Sequence, residues 1–531
     1  MPNRPLGAQI SHMLKDRGVD VIFGIPGVHN QEMYRGIEEA GITHILARHE
    51  QGAGFMADGY ARATGRPGVA YVISGPGLCN IMTPMGQAYS DSVPLLVISS
   101  VLDETEATRG QLHQMKDQEG AAETVCDWSV SARTADAAYA LIDRAFSEFQ
   151  QARKRPKHVT APIKLLEAEA PDFVSTGPTD RRGEFLPSDG QIAQLAQMLK
   201  AARKPLFVFG GGSASANLAP IRSVLRKLNA ASFTTYAGRG VVVDDPLHLG
   251  AFLARPGSAS TFASADLVIA VGTDLSEVDL WRDTPGQSCP TVVINIDPEV
   301  LACCGSADLP ILADAGRVFA ALDGIVAPAA SDWRADAIAK TRAAWKTEVD
   351  LERPGILPVA DALRAALPAN TMIYSDMTQF AYAAKEVYPM DRPGHWHHPY
   401  GFGTLGYALP AAIGGKVGVG DQPVVAILGD YGFQYTMQEL AVAVELGQNL
   451  PIIIWDNGKL GEIEDSMVRA QIAPNAVVQR NPDFLKLAEA FGAASAQPRT
   501  LAELQPILDA AFAADRPTII RIPSDIALTN N

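Results

Sequence analysis

The sequence predicts three successive doubly wound α/β domains, each built on a parallel sheet. Short apolar runs alternate with helical patterns along most of the 531 residues, and a helix between two strands makes those strands parallel. Two stretches rich in Pro, Gly and charged residues interrupt the alternation, at residues 171–189 and around Pro354-Gly355. These stretches separate an N-terminal domain (1–175), a central domain (190–327) and a C-terminal domain (356–531).

The composition is typical of a globular protein with large cores. Hydrophobic residues make up 47% of the chain and charged residues 19%, and no uncharged apolar run approaches the roughly 18 residues of a membrane span. The net charge is −15 without a basic tract, which argues against nucleic acid as a partner. The start of the chain lacks the apolar core of a signal peptide, and the five cysteines have no metal-ligand spacing. We therefore expect a cytoplasmic protein without membrane association.

In the N-terminal and central domains, several apolar runs predict buried strands. In the N-terminal domain they are residues 19–24, 43–46, 69–74 and 94–99, with a helix at 51–65. The central domain has predicted strands at 205–209, 267–271 and 292–296. A glycine run, Gly210 to Ser213, follows the first of these. It is similar to a nucleotide-binding turn, but a tight turn needs glycine without any ligand, and we favour that structural role.

The stretch 424–461 of the C-terminal domain predicts a strand–helix–strand unit. Apolar runs at 424–428 and 450–455 flank a helix that Thr436–Glu439, a capping-box pattern, is expected to begin. The two strands should be parallel, so Asp430 and Asn457 should lie at the same carboxyl edge of the sheet. A carboxylate, an amide oxygen and free backbone carbonyls suit Mg²⁺ shared with a diphosphate. The alternative is an ordinary strand–helix–strand unit with polar strand ends.

Several motifs together identify a family. They are Arg48-His49-Glu50, Ser74-Gly-Pro-Gly77, LGYALPAAIG from Leu405, and Gly429-Asp430 followed by Asn457. Their order and spacing resemble the thiamine diphosphate-dependent enzymes of the acetolactate synthase, pyruvate decarboxylase and benzoylformate decarboxylase group. Within that group the chain looks most like bacterial 5-guanidino-2-oxopentanoate decarboxylases, through FGIPGVHN, GQLHQMKDQ and GFGTLGYALPAAIG.

The resemblance implies an architecture and a cofactor arrangement. The domains would be pyrimidine-binding, central and diphosphate-binding, in that order. Active sites would form between the first domain of one subunit and the third domain of another, in a homodimer or homotetramer. Thiamine diphosphate and Mg²⁺ would be the cofactors, and a small 2-oxo acid the substrate.

The resemblance also assigns roles to single residues. Glu50 matches the glutamate that hydrogen-bonds the pyrimidine ring and so activates the cofactor; otherwise it is a helix N-terminal glutamate favoured by the helix dipole. Leu405 matches the apolar residue that bends the cofactor, and Gly403 the carbonyl that accepts from its amino group. The remaining cofactor residues are the metal ligands Asp430, Asn457 and the carbonyl of Lys459, and the diphosphate candidates Gly432, Phe433, Thr378 and Gln379.

Two residues depart from the family pattern beside these metal ligands. Tyr431 stands where the family has the second glycine of Gly-Asp-Gly, and Asp456 replaces the first asparagine of Asn-Asn. Since Gly432 follows at once, the turn can survive with a slight shift. Asp456 adds a carboxylate that would either repel the diphosphate or strengthen metal binding.

The choice of reaction depends on proton donors near the substrate. His113-Gln114 stands where pyruvate decarboxylases carry a histidine pair and acetolactate synthases carry Phe-Gln; His113 is a candidate acid, and His29 is a further active-site candidate. Glu462 and Glu464 follow the metal turn, close to a catalytic glutamate of pyruvate decarboxylases, and either could instead pair with a guanidinium. Each of these also has a plain reading as a polar loop or exposed helix residue. We expect a 2-oxo acid decarboxylase; the alternatives are a carboligase of acetolactate synthase type and a cofactor-binding protein without turnover.

Overall fold

The computed structural model describes residues 4–104, 110–178, 185–478 and 480–528. It contains three parallel sheets, one in each predicted domain, as the sequence predicts. Part of the predicted linker, residues 179–184, lies outside the described residues. Of the helices in the described ranges, none is both long and apolar enough to cross a membrane.

The N-terminal sheet has six parallel strands with helices on both faces. In spatial order its strands are Thr43–Leu46, Val21–Gly24, Gly68–Val72, Leu95–Val101, Lys157–Pro162 and Trp128–Ser131. The helices are Leu6–Asp16, Gln31–Glu39, Glu50–Thr64, Pro76–Ser90, Gln118–Glu123, Ala135–Gln151 and Ile163–Glu167. A two-residue strand, Arg4–Pro5, pairs antiparallel with Glu169–Ala170 and ties the two ends of the domain together.

The central sheet has five parallel strands. Their spatial order is Ala231–Thr234, Pro205–Phe209, Leu267–Val271, Thr291–Asn295 and Leu309–Leu312. Its helices are Asp189–Ala201, Leu218–Leu228, Ser258–Ser264, Glu277–Leu280, Pro298–Leu301 and Ala315–Asp323, with a 3₁₀ turn at Gly211–Ser213. In that turn a Cβ on Gly212 would lie 2.9 Å from the Gly272 Cα, so the glycines allow close backbone packing. The long helix Ala335–Glu352 leads to the C-terminal domain.

The C-terminal sheet again has six parallel strands. In spatial order they are Trp396–His397, Met372–Ser375, Val424–Gly429, Pro451–Asp456, Thr518–Pro523 and Ala494–Ala496. Its helices are Ile356–Ala366, Gln379–Val387, Ala408–Val419, Asp430–Thr436, Leu440–Glu445, Gly461–Arg469, Phe484–Phe491 and Leu504–Ala513, with 3₁₀ turns at Met437–Glu439 and Leu501–Glu503. Numbered along the chain, the strands of both six-stranded sheets have the order 2-1-3-4-6-5. The two outer domains therefore share one topology.

One local prediction is wrong. Thr436–Glu439 does not cap a helix, because the Thr436 hydroxyl donates to the Gly406 carbonyl at 2.8 Å. The carboxylate of Glu439 accepts from the backbone N–H of Arg48 in the N-terminal domain instead of reaching back to Thr436. Tertiary partners have replaced the local capping bonds at both ends of the pattern.

The two outer domains pack through the helices Glu50–Thr64 and Ala408–Val419, which cross at glycines. A Cβ on Gly59 would lie 1.9 Å from the Ala411 carbonyl oxygen, and one on Gly414 would lie 1.9 Å from that of Met56. Such close approach leaves no room for any side chain at either position. The hydroxyl of Tyr374 donates to the Gly59 carbonyl at 2.8 Å, which adds a polar tie at the same crossing.

Candidate active site

Glu50 lies at the first position of its helix, at the carboxyl edge of the N-terminal sheet. It is buried, and its Oε2 accepts a 2.9 Å hydrogen bond from the Asn80 side chain. Its other oxygen lies close to the turn after the neighbouring strand, where a Cβ on Gly77 would be 3.5 Å from Oε1. The His49 ring caps the helix by accepting from the Gln51 N–H. Glu50 is therefore a recessed carboxyl group held at a sheet edge, as an activating acid requires.

Two histidines meet at the same edge. His29 Nδ1 lies 2.6 Å from the Ser74 hydroxyl, and the rings of His29 and His113 contact edge to face with centroids 4.8 Å apart. His113 has a left-handed backbone (φ 63°). Its carbonyl oxygen would be 2.5 Å from a Cβ on Gly75, so only glycine fits at position 75. Burial is the main cause of a lowered His29 pKa, and nearby His113 lowers it further. Gln114 is half-buried, and its side-chain oxygen accepts from the Gln111 N–H.

A buried polar network beneath the Ser74–Gly77 turn received no role in the sequence analysis. Gln118 accepts from the Gly75 N–H at 3.0 Å and donates to the Ser99 hydroxyl at 3.1 Å. Ser99 in turn contacts His158 Nε2 at 2.7 Å. Gln118 lies within the GQLHQMKDQ motif, and this motif is the sequence signal that could have identified it. The network holds the turn that faces Glu50.

The C-terminal sheet brings Asp430 and the turn after Asn457 together. The Asp430 carboxylate accepts from the Gly458 N–H at 2.9 Å, and the Lys459 N–H donates to the Asn457 side-chain oxygen at 3.2 Å. Asp430 is 2% exposed and forms no ion pair with any described residue. Burial is the main cause of its raised pKa, which a hydrogen bond from Asn481 offsets in part. A buried carboxylate without a cation, beside amide and carbonyl oxygens, fits a hard divalent ion such as Mg²⁺.

This site lies where the strand order of the C-terminal sheet reverses, between Met372–Ser375 and Val424–Gly429. Open α/β sheets bind their ligands at that point. Searched over the described ranges, the chain has no group of three or more His, Cys, Asp or Glu side chains able to hold a metal alone. A metal here would consequently need backbone, amide and cofactor oxygens besides Asp430.

Both departures from the family pattern have local partners in the structure. The carboxylate of Asp456 pairs with Arg521 Nε at 2.5 Å and accepts from Asn481 at 3.0 Å. Burial is the main cause of the raised Asp430 pKa, and the charge of Asp456 adds to it. Tyr431 has no left-handed backbone and lies in the first turn of the helix Asp430–Thr436, where glycine is not required. Arg521 and Asn481, which contact these carboxylates, were missed in the sequence analysis.

Thr378 and Gln379 lie at the neighbouring strand end. Gln379 accepts from the Asn457 amide at 2.9 Å and donates to Asp465 at 3.1 Å, which links the predicted metal turn to the next helix. Thr378 is buried, and a Cβ on Gly429 would lie 3.3 Å from its hydroxyl. Gly432 and Phe433 lie in the first turn after Asp430; the Phe433 ring itself packs on Phe484 in the core. Only backbone groups of Phe433 are therefore free for a ligand.

Gly403 and Leu405 lie in the loop before the helix Ala408–Val419. Gly403 has φ +68°, a conformation that favours glycine, and Leu405 is half-buried. Thr404, between them, donates to the Gln87 side chain at 3.0 Å and holds the loop against the N-terminal domain. In this loop the Gly403 carbonyl and the Leu405 side chain can both face a ligand at the sheet edge that holds Asp430.

Glu462 and Glu464 are both engaged by internal cations. Arg353 contacts Glu462 through two hydrogen bonds, Nε to Oε1 at 2.8 Å and Nη2 to Oε2 at 3.0 Å. Glu464 pairs with Lys459. On the same helix, Asp465 receives only the neutral Gln379 amide and forms no ion pair in the described part of the chain. The Arg353–Glu462 pair has the bidentate geometry of guanidinium recognition.

The predicted residues form two groups. One comprises Glu50, His29, His113 and Gln114 in the N-terminal domain; the other comprises the metal, diphosphate and loop residues of the C-terminal domain. Among the described residues, no hydrogen bond or ion pair joins Glu50 to Asp430, Asn457 or Lys459. A direct link between the domains beside Glu50 is made instead by Glu439, whose carboxylate reaches the Arg48 backbone.

Comparison with known proteins gives consistent matches along the chain. Three thiamine pyrophosphate enzyme models match it: the N-terminal TPP binding domain over residues 4–121, the central domain over 192–322 and the C-terminal TPP binding domain over 376–522. A probable 2-ketoarginine decarboxylase, AruI, of Pseudomonas aeruginosa is 40% identical over 97% of this chain and 93% of its own length. The acetolactate synthase isozyme 3 large subunit of Escherichia coli is 30% identical over 90% of this chain and 87% of its own. The acetolactate synthase large subunit of Corynebacterium glutamicum is also 30% identical, over 98% and 87%.

Proposed function

This chain belongs to the thiamine pyrophosphate enzymes, and from that premise we propose that it decarboxylates a 2-oxo acid with a guanidinium tail, releasing an aldehyde and CO₂. The observation that carries the proposal is the contact of His29 with His113 and Ser74, at the sheet edge that holds Glu50. Such a cluster offers proton donors where a decarboxylated product must gain a proton.

The chain's residues divide the chemistry between them. When bound, thiamine diphosphate supplies a nucleophilic carbon that adds to the ketone and takes up the electron pair left as CO₂ departs. Glu50 would hold a proton between its carboxyl oxygen and the pyrimidine ring. The bond between C1 and C2 of the acid breaks, and His113 or His29 would deliver one proton to C2, which leaves as the aldehyde carbon. Leu405 would offer the cofactor an apolar side chain that helps to position it.

Asp430, Asn457 and the carbonyl of Lys459 would hold Mg²⁺, and the backbone N–H groups of Gly432 and Phe433 would meet the diphosphate. Thr378 and Gln379 would complete the diphosphate pocket. The uncompensated charge of buried Asp430 supports this assignment, since a divalent cation would offset it.

The substrate tail is inferred from charge. The relative from Pseudomonas carries the name 2-ketoarginine decarboxylase, and 2-ketoarginine is 5-guanidino-2-oxopentanoate. The helix Gly461–Arg469 follows the metal turn and has three carboxylates in its first two turns, Glu462, Glu464 and Asp465. Asp465 lacks a cationic partner among described residues, which makes it the carboxylate best suited to a guanidinium tail.

The complete site would need a second copy of the chain, as a homodimer or homotetramer. The exposed apolar side chains Val28 and Leu112 surround the N-terminal histidines, while Phe402 and Ile463 flank the C-terminal group; all four are about half or more exposed. Apolar surface at both half-sites is consistent with burial against another subunit. Five free cysteines fit the proposed cytoplasmic location.

A panel of 2-oxo acids tests the proposal, with thiamine diphosphate and Mg²⁺ present and aldehyde resolved from ligated products. Stoichiometric aldehyde from 5-guanidino-2-oxopentanoate, with weaker turnover of its uncharged analogues, is expected. The second candidate is an acetolactate synthase-type carboligase, favoured by Gln114 and the two synthase relatives; ligated product from pyruvate without free aldehyde would establish it. The third candidate is a cofactor-binding protein without turnover. It predicts that Glu50→Gln leaves the measured turnover unchanged.

A further inference from the structure

Glu439 lies at the junction of the two outer domains, directly against the segment that carries Glu50. It is completely buried, and both carboxylate oxygens contact the Arg48 N–H, at 3.2 and 3.1 Å. The N–H of His49 is a second backbone donor to the same carboxylate. These are the two residues that immediately precede Glu50, and His49 is the N-cap of its helix.

The helix is shaped to receive this carboxyl group. A Cβ on Gly52 would lie 2.3 Å from the Glu439 carboxyl carbon and from its Oε1, so a side chain there would displace the carboxylate. The backbone N–H groups around the start of a helix lack partners within it, and an acceptor at that end also gains from the helix dipole. Glu439 therefore binds the backbone at the N-terminal end of this helix, in place of the local capping box it was expected to form.

The same glutamate is tied to the predicted metal site by the chain itself. It ends the 3₁₀ turn Met437–Glu439, which follows the helix starting at Asp430 without a break. Thr436, just before this turn, is held to the Gly406 carbonyl beside Leu405. The position of Glu439 thus depends on the C-terminal domain, while its contacts set the backbone of the N-terminal one.

We propose that Glu439 is a positioning residue for Glu50: it holds the Arg48-His49 backbone so that the Glu50 carboxyl group stands where cofactor activation requires it. This inference rests on the proposed function, since it assigns Glu439 a part in the step that Glu50 performs. A displacement of about 1 Å in such a group can slow a reaction by about 100-fold.

Glu439→Gln tests the proposal, because it keeps the size of the side chain and removes one acceptor and the charge. Glu445→Gln is the matched control: Glu445 pairs with the Arg48 side chain, is exposed, and does not touch the helix start. The measurements are the dissociation constant of thiamine diphosphate with Mg²⁺, the rate of deuterium exchange at C2 of the bound thiazolium, and kcat and KM for the 2-oxo acid. Hydrogen exchange of the peptide spanning residues 47–52, in protein free of cofactor, reports the backbone directly.

In Glu439→Gln we expect C2 exchange and kcat to fall by about 10- to 100-fold, with KM and cofactor affinity within about twofold of wild type. Peptide 47–52 should exchange faster, and Glu445→Gln should match wild type. Combined with Glu50→Gln, the substitution should cause no further loss, because the two residues act in one step. Wild-type C2 exchange, weakened cofactor binding, or losses that multiply in the double variant would overturn the inference.

Glu439→Asp serves if Glu439→Gln does not fold. It retains the charge and withdraws the carboxyl group by one methylene, so C2 exchange should again slow at unchanged cofactor affinity; wild-type exchange would overturn the inference. The proposed function fails separately, if Glu50→Gln alone retains full turnover.

Discussion

The side-chain amide of Asn481 donates a 2.5 Å hydrogen bond to the carboxylate of Asp430. The same amide donates to Asp456 at 3.0 Å, and the Asn481 oxygen accepts from Gln434 at 3.1 Å. One neutral residue thus orients the predicted metal ligand and separates it from the second carboxylate, which Arg521 neutralises.

Replacing Asn481 by Ala should weaken metal binding without removing a ligand. Loss of a residue that orients a metal ligand typically lowers affinity by about 10- to 100-fold, so the Mg²⁺ concentration for half-maximal activity should rise by that factor while kcat at saturating Mg²⁺ changes little. Titration of Mg²⁺ into chelator-treated protein measures this. Asn475→Ala is the control, since the one bond of that amide in the described part of the chain is to the Ala473 carbonyl. Equal Mg²⁺ dependence in both variants would contradict the assignment.

The sequence predicts several buried strands of this fold because both faces of a parallel sheet are covered and the strands become continuous apolar runs. The interior strands Lys157–Pro162 and Thr518–Pro523 were missed. The predicted strands at residues 205–209 and 267–271 have the bounds found in the structure. The edge strands Trp396–His397 and Ala494–Ala496 were missed, since two or three residues give no periodic signal.

Candidate site residues could be predicted only where they stand in a recognisable sequence motif. Glu50 and Asp430 stand in recognisable patterns, and the structure brings both to sheet edges. Asn481, Arg521 and Glu439 reach their partners across 51, 65 and 391 residues of sequence, respectively. Such contacts depend on how domains pack, which no local pattern encodes. The capping-box prediction at Thr436 failed for the same reason.

Removing the Ser74 hydroxyl should slow aldehyde release. Ser74 Oγ contacts His29 Nδ1 at 2.6 Å and fixes the orientation of a proposed proton donor. In Ser74→Ala we expect kcat to fall by about 3- to 10-fold, equivalent to one hydrogen bond of roughly 1 kcal/mol, at nearly constant KM. Ser131→Ala, which removes a hydroxyl without a hydrogen-bond partner among the described residues, should have no effect. Unchanged kcat in Ser74→Ala would argue against His29 as a donor.

Asp465→Asn should change substrate preference. If Asp465 receives the guanidinium tail, KM for 5-guanidino-2-oxopentanoate should rise by about tenfold or more, as expected for a lost charge-assisted hydrogen bond. KM for an uncharged 2-oxo acid of similar length should stay the same. Asp509→Asn provides the control, because that carboxylate is exposed and, within the described ranges, accepts only from Gln505. A parallel rise for both substrates would indicate a structural role for Asp465.

Gly59→Ala should destabilise the contact between the outer domains. Its Cβ would enter the space of the Ala411 carbonyl oxygen at 1.9 Å, and overpacking of this kind costs about 1–3 kcal/mol or more. Gly190→Ala is the matched control: it lies in the helix Asp189–Ala201, no described residue comes within 4 Å of its Cβ, and the change should stabilise that helix by at most about 0.5–1 kcal/mol. Thermal midpoints should shift in opposite directions. A stable Gly59→Ala variant would mean that the two helices separate readily.

His158 should make the protein lose stability as the pH falls. Its ring is completely buried between the hydroxyls of Ser99 and Ser129, at 2.7 Å from each, and burial lowers its pKa from the ordinary 6.5 to about 3. Below pH 6.5 the unfolded imidazole takes up a proton that the folded one refuses. The free energy of unfolding therefore decreases as the pH decreases, by up to about 1.4 kcal/mol per pH unit for one such group.

Asp376 has the opposite effect on the free energy of unfolding. Burial raises its pKa to about 7, so as the pH falls the folded carboxyl group takes up its proton before the unfolded one does, which favours the folded state. Comparing variant with wild type cancels that contribution. His158→Gln should be less stable than wild type near neutral pH, because two buried hydroxyls lose their partner, but the deficit should shrink between about pH 7 and pH 5 as wild type alone carries the imidazole penalty. Urea midpoints at the two pH values measure the difference. A stability deficit that is the same at both pH values would mean that the His158 ring is protonated in the folded protein. It would also mean that the Ser99–His158 contact survives that protonation.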